Sequence, residues 1–318
     1  MDKKDKDIIF ELDKNSRLPY SKLAKLTGIS QETARYRLNN LVRKGVIKKF
    51  MTVMDTAKLG YSIYQILLKL QNVNETKKLE VINFLVRNKN VAWVGDLEGN
   101  YDIAFIVRVR NQLELQNIIG EIHNLFSSYI MKKVVSVLLQ GEFFSRDYLV
   151  NKKRTDSRAS SYSPHEEIIL LRDTDKKICQ VLAEDARISY IKLSEKLKIS
   201  PDSIIQHVKK LKKEGIIQKF TVSIDNEKMN QLHYKLLIYL TDFSNKKVDS
   251  LLSFIKSNNK VIAVIKTLAE WDYEIDLEIE SIDQLKKFTM QLTSEYSDLI
   301  RDYELMRILS MPKYNFFE

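Results

Sequence analysis

An internal repeat at an offset of 170 residues constrains this chain more than any single motif, because it decides the architecture before local patterns are read. Asp5-Lys6, Ile8, Leu12, Arg17, Tyr20 and Lys22-Leu23 fall on Asp175-Lys176, Ile178, Leu182, Arg187, Tyr190 and Lys192-Leu193. Ile29-Ser30 then falls on Ile199-Ser200, Gly45-Val46-Ile47 on Gly215-Ile216-Ile217, and Asp55 on Asp225, all without a gap. Sixteen of the 51 positions from 5 to 55 are identical in the two copies. The same offset carries Gly99-Asn100-Tyr101-Asp102 onto Ala269-Glu270-Trp271-Asp272, so a back module is duplicated along with the front one. The 318 residues divide as front and back modules at 1–55 and 56–145, a connecting segment at 146–173, and second copies at 174–225 and 226–318. Asn151 to Ser161 is polar and has no apolar period, which predicts a linker.

Charge follows the repeat. Lys and Arg number 52 against 42 Asp and Glu, a net charge of +10. Segment 1–55 carries 13 basic and 7 acidic residues and segment 174–225 carries 11 and 7, so the front modules hold the whole excess. A basic front module suits a polyanionic partner. The single cysteine, Cys179, excludes an internal disulfide. No run approaches the roughly 20 apolar residues of a membrane span, and Met1 to Asp7 has no apolar core of a signal peptide, so a soluble cytoplasmic protein without a membrane partner is expected. Neither G-x-x-x-x-G-K-[ST] nor G-x-G-x-x-G occurs, which disfavours a nucleotide-driven enzyme. With no evident catalytic triad or metal-ligand cluster either, no cofactor, no metal and no enzymatic activity are expected.

In the front module, apolar spacing predicts three helices over Lys4 to Leu12, Tyr20 to Leu26 and Gln31 to Arg43, the last capped by Ser30. Ala34, Leu38 and Leu41 share one face of the third. Gln31, Glu32, Arg35, Tyr36, Asn39 and Arg43 are left on the other, able to bond bases and phosphates. Leu23-Ala24-(x)3-Gly28-Ile29-Ser30 reads as helix, tight turn and capped helix, the helix-turn-helix whose second member enters the major groove. Gly45 to Phe50 reads as a strand that sets Lys48 and Lys49 at a wing or phosphate-contacting edge.

The back module reads strand, helix, strand, strand, helix, strand, the ferredoxin-like βαββαβ order. The fold class is therefore α+β: two copies of a winged helix-turn-helix domain, each followed by a ferredoxin-like domain. The strand from Asp102 to Arg108 is apolar on both faces, so its open face should meet another sheet. In the second copy Glu274, Asp276, Glu278 and Glu280 alternate with Ile275, Leu277 and Ile279. That acidic face fits either a solvated surface or a polar interface, including cross-strand pairing with Lys235 and Arg307.

Asp5-(x)2-Ile8, Arg17-(x)2-Tyr20-(x)2-Leu23-Ala24, Ile29-Ser30-(x)2-Thr33, Arg37-Leu38 and Gly45-Val46-Ile47, followed by Gly99-Asn100-Tyr101-Asp102, resemble the Lrp/AsnC family of feast/famine regulators. The likeness covers nearly the whole chain, twice. It implies a DNA-binding transcriptional regulator that oligomerises through the ferredoxin-like domain and takes a small effector, often an amino acid, between such domains. By resemblance, the DNA-binding positions are Ser30, Gln31, Glu32, Thr33, Arg35, Arg37, Lys48 and Lys49. In the second copy they are Ser200, Ser203, Gln206, His207 and Lys209. Ile205 and His207 replace Arg35 and Arg37, so the second copy suits phosphate anchoring by lysines better than base reading. Gly99 and Asp102 match the family's effector turn, and Asp272 keeps the carboxylate where Ala269 has replaced the glycine; capping of a turn is the competing role for both aspartates.

A fused pair of sensor domains is expected to associate within one chain, imitating a dimer, with further homo-oligomers open. Two other functions stay open: an architectural DNA binder of little sequence preference, and a siroheme-decarboxylase-like enzyme, whose subunits resemble the same family. Against the enzyme, His123, His165, His207 and His233 do not repeat at the 170 offset.

Overall fold

The computed structural model describes residues 1–154, 160–241 and 244–317; positions 155–159 of the connecting segment lie outside the described residues. The first copy runs α1 (Lys3–Lys14), α2 (Tyr20–Thr27), α3 (Gln31–Arg43), β1 (Ile47–Met54), β2 (Ser62–Leu70), α4 (Glu75–Arg87), β3 (Val91–Gly99), β4 (Ile103–Val109), α5 (Gln112–Phe126) and β5 (Ile130–Phe143). A short strand, β6 (Ser160–Tyr162), lies in the connection. The second copy runs α6 (Asp173–Glu184), α7 (Tyr190–Leu197), α8 (Pro201–Lys213), β7 (Ile217–Ile224), β8 (Leu232–Leu240), α9 (Asn245–Ser257), β9 (Val261–Leu268), β10 (Tyr273–Ile279), α10 (Ile282–Glu295) and β11 (Ile300–Tyr314). These are two winged helix-turn-helix units and two βαββαβ units.

Local chemistry accounts for the front helices. Ser30 accepts a bond from Thr33 N and starts α3, while Gly28, at φ +64°, ends α2 in the left-handed conformation that glycine tolerates without a Cβ clash. The second copy keeps the cap through Ser200, which accepts from Ser203 N, and adds Pro201 at the first helical position. Lys198 stands at the left-handed position with φ +55°. Leu23, Ala34, Leu38 and Leu41 bury the inner faces, and Ile204, Val208 and Leu211 do the same in α8. Cys179 lies in the second three-helix core, its thiol pushed up to about 12 by burial.

The two back modules form one object. Their sheets join edge to edge at two seams, in the order β2-β4-β3-β11-β8-β10-β9-β5, and β5 returns to β2, closing a ring of eight strands. Each seam is made by a long strand that changes partner midway. β5 pairs with β2 over Ile130 to Val137 and with β9 over Val137 to Phe143. β11 pairs with β8 from Ile300 to Ile308 and with β3 from Met306 to Tyr314. The open face of β4 does meet another sheet, as its two-sided apolar pattern requires: Ala104 and Ile106 pack with Leu67, Trp93, Leu237 and Trp271 inside the ring. Of the four acids of the β10 face, Glu274, Asp276 and Glu278 also turn inward rather than to water, while Glu280, just past the strand, is exposed. Glu274 and Glu278 are fully buried, and Lys235 lies 2.8 Å from Glu274 and 2.7 Å from Asp276. Arg307 instead faces Glu98, at 3.6 Å.

The wing strand forms as expected, and it is shared between the copies. β1 does not fold into a hairpin of its own module but pairs antiparallel with β7 of the other copy, from Ile47↔Ile224 to Met54↔Ile217. The connecting segment is likewise more than a polar tether. Tyr148 and Leu149 are buried against α1 and β7, and β6 adds to β5.

Because seams and ribbon are all made between copies, the copies should stay associated without a covalent link. With a protease site placed between Arg154 and Ser160, the cleaved fragments should co-elute natively and separate only in denaturant. Separation without denaturant would contradict the shared sheet.

Candidate nucleic-acid interface

The two helix-turn-helix units face each other across a pseudo-two-fold axis, visible in bonds that recur reciprocally at the repeat offset. Arg17 Nη1 donates to the Ala186 carbonyl at 2.6 Å, and Arg187 Nη1 donates to that of Ser16. Ser16 N donates to Phe220 O at 2.9 Å and Ala186 N to Phe50 O at 3.2 Å. Lys58 Nζ bonds Glu214 O and Lys228 Nζ bonds Lys44 O, both at 2.8 Å. Arg17 also lies 4.3 Å over the ring of Tyr190, and Arg187 lies 5.2 Å over that of Tyr20, distances suited to cation–π attraction. Around the β1–β7 ribbon these contacts fix one reading unit against the other. Arg17 and Arg187 were visible in the sequence as repeat identities, but their cross-copy role was not.

The recognition helices present unlike surfaces. On α3, Gln31, Glu32, Arg35, Tyr36, Asn39 and Arg43 are exposed. Ser30 and Thr33 form the cap. Arg37 is engaged elsewhere, with its guanidinium 2.6 Å from Asp2 and 2.8 Å from Asp5, and so ties α3 to the start of α1. The second copy repeats this tie with other chemistry, His207 Nδ1 lying 2.6 Å from the buried carboxylate of Asp175. Two of the positions expected to contact DNA, Arg37 and His207, are thus engaged by aspartates that are themselves one repeat apart, Asp5 and Asp175. On α8, Gln206, Lys209, Lys210, Lys212 and Lys213 are exposed, Ile205 takes the place of Arg35, and Ser200 and Ser203 make the cap. Lys48 is exposed but pairs with Asp225 at 3.1 Å, and Lys49 lies on the same ribbon, so neither stands on a free wing tip.

Beneath the ribbon lies a charge network that crosses from the front module to the ring. Arg146, in the connecting segment, bonds Asp13 of α1 at 2.7 Å and grips Glu278 of β10 with Nε and Nη2 at 2.7 and 3.0 Å. Tyr148 donates to Glu278, while Thr221 and Lys219 of β7 reach Asp13 at 3.1 and 3.5 Å. Burial alone would raise the Asp13 and Glu278 carboxyls. The adjacent cations, Lys219 and Arg146 for Asp13 and Arg146 for Glu278, outweigh it and hold both below their ordinary values. Sequence reading missed this network because Arg146 and Tyr148 sit in the polar connection and Asp13 is matched by Ala183 in the other copy.

At the expected effector turn, Gly99 has φ +136° and a Cβ there would stand 3.1 Å from the Leu305 carbonyl. Asp102 accepts from Leu70 N at 2.7 Å and lies 3.3 Å from Lys69; Asp272 accepts from Leu240 N at 2.8 Å. Both carboxylates therefore cap the neighbouring strand.

Comparison with known proteins places this geometry. A winged helix-turn-helix DNA-binding family model matches residues 1–48 and 171–218. The HTH-type transcriptional regulator FL11 of Pyrococcus furiosus is 33% identical over 134 residues, covering 41% of this chain and 87% of that protein. Among solved structures, Escherichia coli AsnC is 24% identical with a TM-score of 0.40, covering 45% of this chain and 95% of its own. The siroheme decarboxylase NirDL is 15% identical with a TM-score of 0.61, covering 99% of this chain and 93% of its own, a likeness of fold. The chain belongs to the Lrp/AsnC family of helix-turn-helix, DNA-binding transcriptional regulators, in a form that carries the unit twice.

The charge network sets the acid stability. Depressed carboxyls contribute stability that is complete above their unfolded pKa values, about 4, and is lost as pH falls through their lower folded values. Arg146→Met should cost about 3–5 kcal/mol at neutral pH by leaving buried Glu278 without its main partner and Asp13 with Lys219 as its remaining cation. It should also move the onset of acid unfolding to higher pH. Urea titrations between pH 7 and pH 3 check this; an unchanged midpoint at pH 7 would contradict it.

Proposed function

We propose that a single chain reads an asymmetric DNA site of two unlike half-sites, α3 supplying base contacts and α8 chiefly anchoring phosphates. The observation that supports this most directly is the reciprocal lock between front modules whose exposed helix faces differ. Arg35 on α3 offers an exposed guanidinium to a guanine edge, and at the same position α8 offers Ile205 followed by lysines. Arg37 and His207 act in this reading as ties that hold each recognition helix at its angle. An architectural role without sequence preference is disfavoured by the polar, varied face of α3.

The proposed regulator works without catalysis. The fold likeness to NirDL favours an enzymatic second reading, but the cavity inside the ring is only about 180 Å³. That is below the roughly 300–1,000 Å³ usual even for drug-sized ligands, and a tetrapyrrole needs more room. Of the four histidines only His233 lines it. An amino-acid effector at the Gly99 turn and association between chains complete the proposal. A shift in DNA affinity with an amino-acid pool, lost in Asp102→Asn, tests the effector. No helix among the described residues is long and apolar enough to cross a membrane.

On a selected site at fixed salt, Arg35→Ala should lower affinity about tenfold or more, while Ile205→Ala stays within about twofold. Replacing Lys209, Lys212 and Lys213 by Gln should weaken specific and random DNA alike and flatten the salt dependence by about one unit of slope per lysine. Equal losses from Arg35→Ala and Ile205→Ala would contradict the division of labour.

A further inference from the structure

The ring interior is symmetric in backbone and asymmetric in chemistry. Positions related by the repeat are Ile63 and His233, Gln65 and Lys235, Ala104 and Glu274, Ile106 and Asp276, and Arg108 and Glu278. Three of these pairs set an apolar residue of the first copy against a polar one of the second. The difference meets in the cavity of about 180 Å³, roofed by the β1–β7 ribbon, where His233 and Asp276 share the lining with Ile63, Ile106, Leu138 and Ile265.

No charged occupant is called for there. Five charged residues line the cavity and each is in an ion pair: Arg146 and Lys219 reach Asp13 at 2.7 and 3.5 Å, and Lys235 reaches Asp276 at 2.7 Å. Arg146 and Lys235 also hold Glu278 and Glu274, which do not line it. A charged molecule of either sign would have to break one of these pairs or be buried without a partner, and both are costly. An occupant that fits is neutral.

Uncharged polar groups at the same cavity, by contrast, have no hydrogen-bond partner within the protein. His233 is 4% exposed and neither ring nitrogen is bonded, and the Tyr162 hydroxyl and Gln65 Oε1 are buried and equally unbonded. Burial pushes the His233 pKa below its ordinary value, so the ring is neutral, with one nitrogen to donate and one to accept. Burial, with the Glu274 and Asp276 carboxylates, pushes the Tyr162 hydroxyl well above its ordinary value, so it keeps a proton to donate. These groups sit together. Asp276, whose charge acts on Tyr162, has the His233 ring 4.0 Å from Oδ2, and Glu274, which acts on Tyr162 as well, accepts from Gln65 Nε2 at 2.9 Å. A buried donor or acceptor left unpaired costs its full desolvation, so these atoms at one cavity describe a site built for an occupant.

The unpaired set contains donors and acceptors, so its complement is a group that does both, carried on an apolar body. A hydroxyl donates one proton and accepts at its lone pairs. In volume the cavity compares with the roughly 150 Å³ that accommodates benzene. We propose that the ring interior binds a small uncharged alcohol or phenol, its hydroxyl among Tyr162, His233 and Gln65 and its hydrocarbon body against the isoleucines. The site is separate from the DNA-reading faces and goes beyond the regulator reading.

The hydroxyl probes are 4-methylphenol and 3-methylbutanol, with toluene, benzoate and benzylamine as comparisons that lack the hydroxyl or carry a charge. Titration of the full chain by calorimetry gives the affinities, and tryptophan fluorescence is a second readout for 3-methylbutanol because Trp93 lines the cavity. At least one hydroxyl probe should bind saturably, and more tightly than any of the three comparisons. Tyr162→Phe should weaken it about two- to tenfold while leaving toluene within about twofold. His233→Ile places in the second copy the residue that the first carries at Ile63, so it should keep the fold and weaken the hydroxyl probe as well. Absence of saturable binding of either hydroxyl probe at millimolar concentration means a cavity filled by water and overturns the proposal. Tighter binding of toluene, benzoate or benzylamine, or unchanged affinity for the hydroxyl probe in both variants, overturns it too.

Discussion

The partner change made by β5 and β11 is the interaction on which the rest of the molecule depends. A four-stranded ferredoxin-like sheet leaves edge strands whose backbone groups need partners, and an exposed edge invites association with other chains. Each long strand completes its own sheet with its first half and then crosses to the edge of the other, at Val137 and near Arg307, positions one repeat apart. Closing both seams leaves the eight-stranded ring without a free edge of its own, buries both inner faces, and sets the two front modules over one end. Strand exchange between β1 and β7 then follows the same symmetry.

Duplication within one chain frees the halves to differ. Backbone contacts remain reciprocal, as in the exchange between Arg17 and Arg187, because they hold the pair together. Side chains on the outer faces of the recognition helices or in the ring interior have diverged: Arg35 against Ile205 on α3 and α8, Ile106 against Asp276 inside the ring. Where both copies need the same mechanical result, different residues deliver it. Arg37 on Asp5 and His207 on Asp175 both tie helix three to helix one.

Much of this was legible in the sequence, for identifiable reasons. Helices α1 to α3 follow from apolar spacing and from Ser30 and Gly28, all short-range signals. The βαββαβ order followed from periodicity, and the inward face of β4 from its two-sided apolar pattern. What was not legible depends on distant partners. Nothing near Ile47 shows that its strand pairs with Ile224 rather than in a local hairpin. Tyr148 and Leu149 sit among charged residues, so their burial is invisible without α1 and β7 beside them. The family resemblance assigns Arg37 to DNA, although it lies off the outer stripe of α3, and Asp2 and Asp5 claim its guanidinium. Asp102 and Asp272 fitted an effector turn and a strand cap equally well by sequence, and the amides of Leu70 and Leu240 engage them as caps.

The central claim is that one chain holds two unlike DNA-reading units in a fixed symmetric frame. Its most direct test is selection of genomic fragments by the purified protein, sequenced at two salt concentrations. The account predicts an asymmetric motif of two unlike half-sites, spaced by about one helical turn or a multiple of it, that persists at the higher salt. A perfect palindrome, or retention of DNA without any motif, would contradict it.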